Sequence, residues 1–480
     1  MKRLLFYLLA IVIFTKILVL QTGCANPIAP GGGPKDSLPP MLVSVTPKDS
    51  ARSFNAKTVT FTFNEFIELQ SIRENLVISP LPKTEPVVES KLRSLTVKIK
   101  DTLEANTTYT YDFGSAIKDI TEGNVSKNFM YVFSTGNTID SLQLSGNVLI
   151  AQTGKTDSTM VAALYMKTDD SAVIKQRPRY IAKLNGLGYF TFHHLPAGQF
   201  VLYAMKDESG QYRYLSKKQL FAFADKPVTI GSNNTPVTLY AYTEKEEEEK
   251  KKPTTTATPG LNVRARPGAT GDKTKQQDKR LIFKTNLENG LQDLLGYLEF
   301  IFPDPLKSFD SSKIQFVDEQ YKPITGYSII KDTSNKKVTL LYKWKENTAY
   351  NLIVDKDFAE DSAGKKLLRL DTLKFKTMKE TDYGSIRIRF NNFNVAKKPV
   401  LQLFQGEEMR FTAKLTDKEF YKKLFKPGEY DIRILYDDND NGIWDAGEFF
   451  GKHRQPEKVQ SIKLKLTVKA NWDKDLSIEL

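Results

Sequence analysis

The chain has 480 residues, 70 Lys and Arg against 57 Asp and Glu, a net charge of +13 and a hydrophobic fraction of 40%. That length excludes a single hydrophobic core, and the ordinary apolar and aromatic content excludes a largely disordered chain, so three or four domains are expected. A lone cysteine excludes internal disulfides, and basic residues scattered along apparent strands, as in Lys98 and Lys100 or Arg387 and Arg389, make nucleic acid an unexpected partner.

Lys2 and Arg3 precede an apolar run from Leu4 to Leu20, interrupted by Lys16, and Gly23 stands just before Cys24. A basic start, an apolar stretch and a small residue before Cys predict a bacterial lipoprotein signal over residues 1–23, with a covalent lipid on Cys24 after cleavage. Gln21 departs from the pattern, because such signals usually place Leu there. Each buried methylene of the acyl chains contributes about 0.8 kcal/mol of membrane affinity. Residues 24–38 contain Ala-Asn-Pro-Ile-Ala-Pro-Gly-Gly-Gly-Pro, which bars helix and ladder and predicts a lipidated tether.

Beyond the tether the pattern has period two. Val59-Thr-Phe-Thr-Phe63, Leu95-Thr-Val-Lys-Ile99 and Tyr109-Thr-Tyr-Asp-Phe113 fall in a first unit, 39–137; Phe200-Val-Leu-Tyr203 falls in a second, 138–243. Residues 244–278 begin with a Glu/Lys run, hold almost no large apolar side chains and read as a disordered linker. A third unit covers 279–378, and a fourth, 379–480, holds Ile462-Lys-Leu-Lys-Leu-Thr-Val468. Short strands between Pro, Gly, Asn and Asp turns predict an all-β chain of β-sandwiches, with helical turns only at Ile67 to Asn75 and Asp417 to Leu424.

The halves resemble each other. Asn106-Thr-Thr-Tyr-Thr-Tyr-Asp-Phe followed by Lys118-Asp-Ile-Thr-Glu-Gly-Asn parallels Asn347-Thr-Ala-Tyr-Asn-Leu-Ile-Val followed by Phe358-Ala-Glu-Asp-Ser-Ala-Gly. Leu195-Pro-Ala-Gly and Phe425-Lys-Pro-Gly each deliver an alternating strand that ends in an acidic loop. The expected arrangement is therefore A-B-linker-A-B, duplicated and diverged.

One loop carries a ligand pattern. In Asp437-Asp-Asn-Asp-Asn-Gly-Ile-Trp-Asp-Ala-Gly-Glu448, oxygens recur at Asp437, Asn439 and Asn441, Gly442 takes the sharp-turn place, Ile443 offers a carbonyl, and Asp445 and Glu448 fall ninth and twelfth. A hard cation needs six to eight oxygens, so the spacing predicts structural Ca2+ in a loop that follows a strand. The corresponding Asp207-Glu-Ser-Gly lacks the pattern. Catalysis finds no support: His193 and His194 are adjacent and point to opposite faces of a strand, His453 sits between Lys452 and Arg454, and no nucleophile elbow, zinc, phosphate or dinucleotide motif is present. Among Trp344, Trp444 and Trp472, the polar loop makes Trp444 the best exposed candidate for a sugar platform.

Cys24-Ala-Asn-Pro-Ile-Ala-Pro-Gly-Gly-Gly-Pro-Lys-Asp-Ser-Leu-Pro-Pro, Val45-Thr-Pro and Phe61-Thr-Phe-Asn-Glu-Phe resemble the Ig-like domain lipoproteins of Bacteroidota. The A unit is similar to the bacterial Ig-like domain of S-layer proteins, and the B units look like the carboxypeptidase-regulatory, prealbumin-like β-sandwich. The likeness is strongest over 24–137 and 425–480; the third unit follows through the repeat. It implies tandem Ig-like and prealbumin-like β-sandwiches, a structural role for Glu65, and a non-enzymatic outer-membrane lipoprotein. Ala25 and Asn26 after the Cys favour the outer membrane, with the side faced left open. The expected role is a scaffold or accessory interaction subunit of a cell-envelope complex with envelope protein partners; the alternative is a surface glycan-binding or adhesive lipoprotein.

Overall fold

The computed structural model describes residues 35–166, 169–244 and 280–480, with the isolated positions 11, 15 and 16. Cys24, nearly all of the signal segment, most of the tether and the 244–278 linker beyond Glu244 lie outside the described residues. The described chain is all-β apart from single helical turns, as the period-two pattern requires. Among these residues no helix is long and apolar enough to cross a membrane.

Four apolar cores follow one another. In the first, Val59, Phe61 and Phe63 point inward from Thr58–Phe63 while Thr58, Thr60 and Thr62 point out, and the sheet order Leu42–Thr46, Thr58–Phe63, Ser94–Lys98, Val87–Lys91 packs against Met130–Ser134, Thr108–Asp112 and Val77–Ser79. The second core lies between Tyr189–Leu195, Leu142–Ile150, Val237–Ala241 and a sheet of Tyr180–Lys183, Met160–Tyr165, Gly198–Lys206 and Phe221–Phe223, joined by Val228–Ile230. In the third, Lys284–Thr285, Leu298–Ile301, Lys337–Leu341 and Ser328–Lys331 face Leu291–Gln292, Asp371–Thr377, Ala349–Val354 and Ile314–Asp318. The fourth repeats the second: Glu419–Phe425, Gly384–Asn391 and Asp473–Glu479 oppose Glu408–Lys414, Pro399–Gln405, Gly428–Tyr436 and Lys458–Val468. In both the second and fourth modules the first and last strands pair in parallel, Leu142–Ile150 with Val237–Ala241 and Gly384–Asn391 with Asp473–Glu479.

The repeat extends to individual hydrogen bonds. Asn106 and Asn347 both take left-handed backbone, φ 50° and 51°, a conformation Asn tolerates well. The following amides of Thr107 and Thr348 donate to the hydroxyls of Thr135 (3.0 Å) and Thr377 (2.9 Å), and those hydroxyls donate back to the carbonyls of Glu104 and Lys345 at 2.6 Å each. Buried Asp119 and Asp361 each close a glycine turn, with Gly123 and Gly364 at φ +79°.

Three local expectations change. Ile67 to Asn75 divides into a strand, Ile67–Leu69, and one helical turn, Ile72–Asn75. The expected helix at Asp417 to Leu424 is instead the strand Glu419–Phe425, because Phe420, Lys422 and Leu424 alternate with exposed Glu419, Tyr421 and Lys423, and ladder pairing to Gly384–Asn391 decides a short segment whose helical propensity is weak. Phe200-Val-Leu-Tyr203 is not half-exposed either: Leu202 and Ala204 enter the second core, whereas Val201, Tyr203 and Met205 enter a separate cluster. That cluster includes Ala446 and Phe449 of the fourth module, so the second and fourth modules pack face to face.

Candidate functional site

The loop after Gly428–Tyr436 starts at Asp437, which is fully buried and accepts from the amides of Asn441 (3.1 Å) and Gly442 (2.6 Å). Asn439 and Asn441 accept in turn from the amides two residues on, Asn441 at 3.1 Å and Ile443 at 2.7 Å. This succession of Asx turns bends the chain tightly, and Gly442 takes the left-handed place at φ +79°. The carboxamides of Asn439 and Asn441 both donate to the same Asp445 carboxylate oxygen, at 2.7 and 2.6 Å. The loop therefore brings together Asp437, Asn439, Asn441 and Asp445.

Glu448 goes elsewhere. Its carboxylate pairs with Lys452 at 2.9 Å, which holds it below the usual carboxylate range, and its backbone bridges to Arg454. The carboxylate that enters the loop is Glu457, nearly buried, accepting from the amides of Asp438 (3.0 Å) and Asp445 (2.9 Å). Burial pushes the Glu457 carboxyl up, and the charges of Asp437 and Asp445 push the same way. Nothing in the sequence spacing marks Glu457; only the fold, which returns Gln455 to Lys458 beside the loop before the long strand Lys458–Val468, puts it there. Among the described residues no group of three or more His, Cys, Asp or Glu is drawn together around a common metal position; here the Asn carboxamides stand between the carboxylates.

The segment that follows is the contact between the halves. The Phe449 ring lies 5.1 Å from both Phe221 and Phe223 and 5.6 Å from Tyr203, and its amide donates to the nearly buried Glu244 carboxylate at 3.3 Å. Polar bonds border this aromatic contact: His453 meets Asp170 at 2.6 Å, Gln455 donates to the Phe223 carbonyl at 3.0 Å and to Asp225 at 2.7 Å, and the Val459 amide donates to the Ala151 carbonyl at 2.9 Å. Close approach needs glycine at Gly447, where a Cβ would lie 2.6 Å from the Tyr242 ring and 2.8 Å from the Arg454 carbonyl. In the sequence this surface shows only as Phe449-Phe450 beside a polar loop.

Trp444 is not a free platform. It is half-buried, its indole N–H donates to the Glu457 carbonyl at 2.7 Å, and its ring packs beside Val400, Leu435 and Val459. Trp344 is core, while Trp472 is exposed with Lys469 5.3 Å from its ring. The three histidines do not gather into one site. His194 bonds the Asp140 carbonyl at 2.9 Å, and His453 serves the contact between the second and fourth modules. His193 lines a cleft of about 470 Å³ between the first and second modules with Asp112, Lys127 and Lys183, where burial and then His194 hold its imidazole below the usual range.

Residues 36–135 match the bacterial Ig-like domain family, so the first module is a bacterial Ig-like domain. Among curated proteins none matches the chain. Among solved structures, the Bacillus anthracis TIE protein is 11% identical, with 94% of this chain and 76% of that one covered and a TM-score of 0.17. BcpA, the major pilin subunit of Bacillus cereus, is 9% identical, covering 70% of this chain and 99% of its own with a TM-score of 0.16. The N-terminal part of the bacterial S-layer protein SbsC is 15% identical over 44% of this chain and 45% of that one, with a TM-score of 0.16. Overlaps at that level carry no argument about function.

Proposed function

We propose that this chain is a non-catalytic lipoprotein of the bacterial cell envelope, anchored in the outer membrane through a lipid on Cys24, that works as a scaffold or accessory interaction subunit. The observation that carries the reading is the architecture itself: a bacterial Ig-like domain opens a series of β-sandwich cores, and the second and fourth modules clasp each other through a buried aromatic contact. The second and fourth modules share one strand plan, in which the first and last strands pair in parallel, and we read both as the prealbumin-like units that the sequence resemblance implies. Such a unit presents sheet edges and loops at fixed spacings, which suits holding partners. The packing of Trp444 removes the main support for a glycan platform in this loop. Detergent extraction with crosslinking is expected to recover the chain with a constant set of envelope proteins; recovery of the chain alone would count against the scaffold role.

We further propose that the loop takes structural Ca2+ through Asp437, Asn439, Asn441, the Ile443 carbonyl and Asp445, with Glu457 in the place that the spacing gives Glu448; binding requires the Asn439 and Asn441 carboxamides, which here donate to Asp445, to turn their oxygens to the cation. The groups present are oxygen donors of the kind a hard cation takes. A bound cation would offset the repulsion among Asp437, Asp445 and Glu457, and its chemistry would be purely structural. Millimolar Ca2+ is expected to raise Tm over chelator, the underlying stabilisation being about 2.7 kcal/mol at a hundred-fold excess of free Ca2+ over Kd. Glu457→Gln is expected to shrink that shift and Glu448→Gln to leave it. An unchanged Tm between chelator and Ca2+ would sink the assignment.

A further inference from the structure

The first module has two ends. At one, strand Met130–Ser134 runs out into the second module, and the Asp140 amide donates to the Thr108 hydroxyl at 2.9 Å. At the other, three turns and the incoming chain meet. The Asn64 amide donates to the Met41 carbonyl (3.1 Å), the Ile67 amide to the Leu92 carbonyl (2.9 Å) and the Ile120 amide to the Phe66 carbonyl (3.2 Å), while Asn124 donates to the Asp36 carbonyl at 3.1 Å. These joined turns carry exposed apolar side chains, Met41 56%, Phe66 49%, Leu92 65% and Ile120 58%, with Leu38 at 61% on the segment leading in.

Two features set this end apart from an ordinary loop cluster. Leu92 occupies left-handed backbone, φ 56°, in the turn between Val87–Lys91 and Ser94–Lys98, where Gly or Asn would be unstrained and soluble. The Arg93 guanidinium lies 5.3 Å from the Phe66 ring, an amphipathic pair of the type that settles at a headgroup boundary. The surrounding charges are mixed, with Lys35, Lys91 and Arg93 against Asp36, Glu65 and Glu122, which favours apolar insertion over attraction to anionic lipid.

The chain ahead of this end identifies its occupant. Cys24 precedes the first described residue of the module, Lys35, by eleven positions; at most about 3.5 Å per residue, that spans no more than roughly 38 Å. A lipid on Cys24 would keep this end, where the chain enters the module, within that reach of the bilayer.

We propose that the free end of the first module is a membrane-docking tip that lays Met41, Phe66, Leu92 and Ile120 into the interfacial region of a phospholipid bilayer, fixing the orientation of the β-sandwich series above it. The choice of partner rests on the lipid-anchor reading of Cys24; the surface itself does not. The full chain with p-benzoylphenylalanine in place of Leu92, irradiated in its native membranes, is expected to give phospholipid adducts. The same replacement at Leu187, 72% exposed on the second module, should give none. Only protein adducts at position 92, to a second copy or to another chain, overturn the tip, and so does the absence of adducts. Mass analysis of the N-terminal peptide in the same sample reads the anchor independently: unmodified Cys24 with lipid adducts at 92 removes the anchor and keeps the tip, and acylated Cys24 without them does the reverse. Leu92→Asn is expected to hold or raise Tm while reducing lipid adducts from a photoprobe at Ile120 several-fold. A lowered Tm would assign Leu92 to the fold and overturn its place in the tip.

Discussion

Phe449→Ala is expected to release the second module from the fourth. The ring is 1% exposed and sits among Tyr203, Phe221, Phe223 and His453, so truncation leaves a cavity at the centre of the contact between modules. Phe to Ala in such a place costs about 3–5 kcal/mol. At about 1.4 kcal/mol per decade, the association weakens at least a hundred-fold. The measurement is direct: a protease that cuts within 245–279 converts the chain into two halves, which for the parent protein should elute together from a sizing column and for Phe449→Ala should separate. Gly447→Val should give the same result by a different cause, because its side chain meets the Tyr242 ring and the Arg454 carbonyl, neither of which can withdraw from a packed face. His453→Ala removes a partly exposed pair with Asp170 and is expected to cost far less. If the halves of Phe449→Ala stay together after cleavage, the aromatic contact does not hold them.

The strand pattern made the fold class readable because a half-buried strand records its burial in alternating side chains, and Thr58–Phe63 or Lys337–Leu341 do so plainly. Legibility failed where that premise failed. Gly198–Lys206 is covered on one side by its own module and on the other by a segment some 240 residues later, so Tyr203 and Met205 look like core without revealing that they form a second one. The candidate loop was readable because short oxygen-bearing side chains bend it: Asn439 and Asn441 each accept from the amide two residues on, and Asp437 accepts from Asn441 and Gly442. Glu457 was not readable, since a residue placed by the return of the chain leaves no spacing signature. Glu448 satisfied the spacing, but its chain direction is set by the bridge to Arg454 and by the burial of Phe449 beside it. The tip of the first module likewise needed the fold, which joins Met41, Phe66, Leu92 and Ile120 from four separate stretches.

Asp119→Asn is expected to destabilise the first module by about 1–3 kcal/mol, the cost of leaving part-buried amides without their charged acceptor. Asp119 is 1% exposed; one of its oxygens accepts from Glu122 (2.6 Å) and Gly123 (2.9 Å), and the other from Asn124 at 2.7 Å. Burial alone would raise this carboxyl, but the backbone N–H groups of the turn outweigh it and hold the group below the usual carboxylate range. The sign follows from linkage: a depressed folded-state pKa contributes stability that is fully present above the unfolded value, about pH 4, and is lost as pH falls through the folded value. The gap between parent and Asp119→Asn should therefore be constant at neutral pH and narrow below about pH 4. Hydrogen exchange of peptides within 108–134 under increasing urea reads the module separately from the others. The matched position supplies an internal comparison. Asp361 holds only Ala363 (2.9 Å) and Lys365 (2.8 Å), both on one oxygen. An Asn side chain keeps one such oxygen, so Asp361→Asn should cost clearly less than Asp119→Asn. Equal losses at the two positions would mean that carboxylate charge, and not the number of oxygens engaged, sets the strength of both turns.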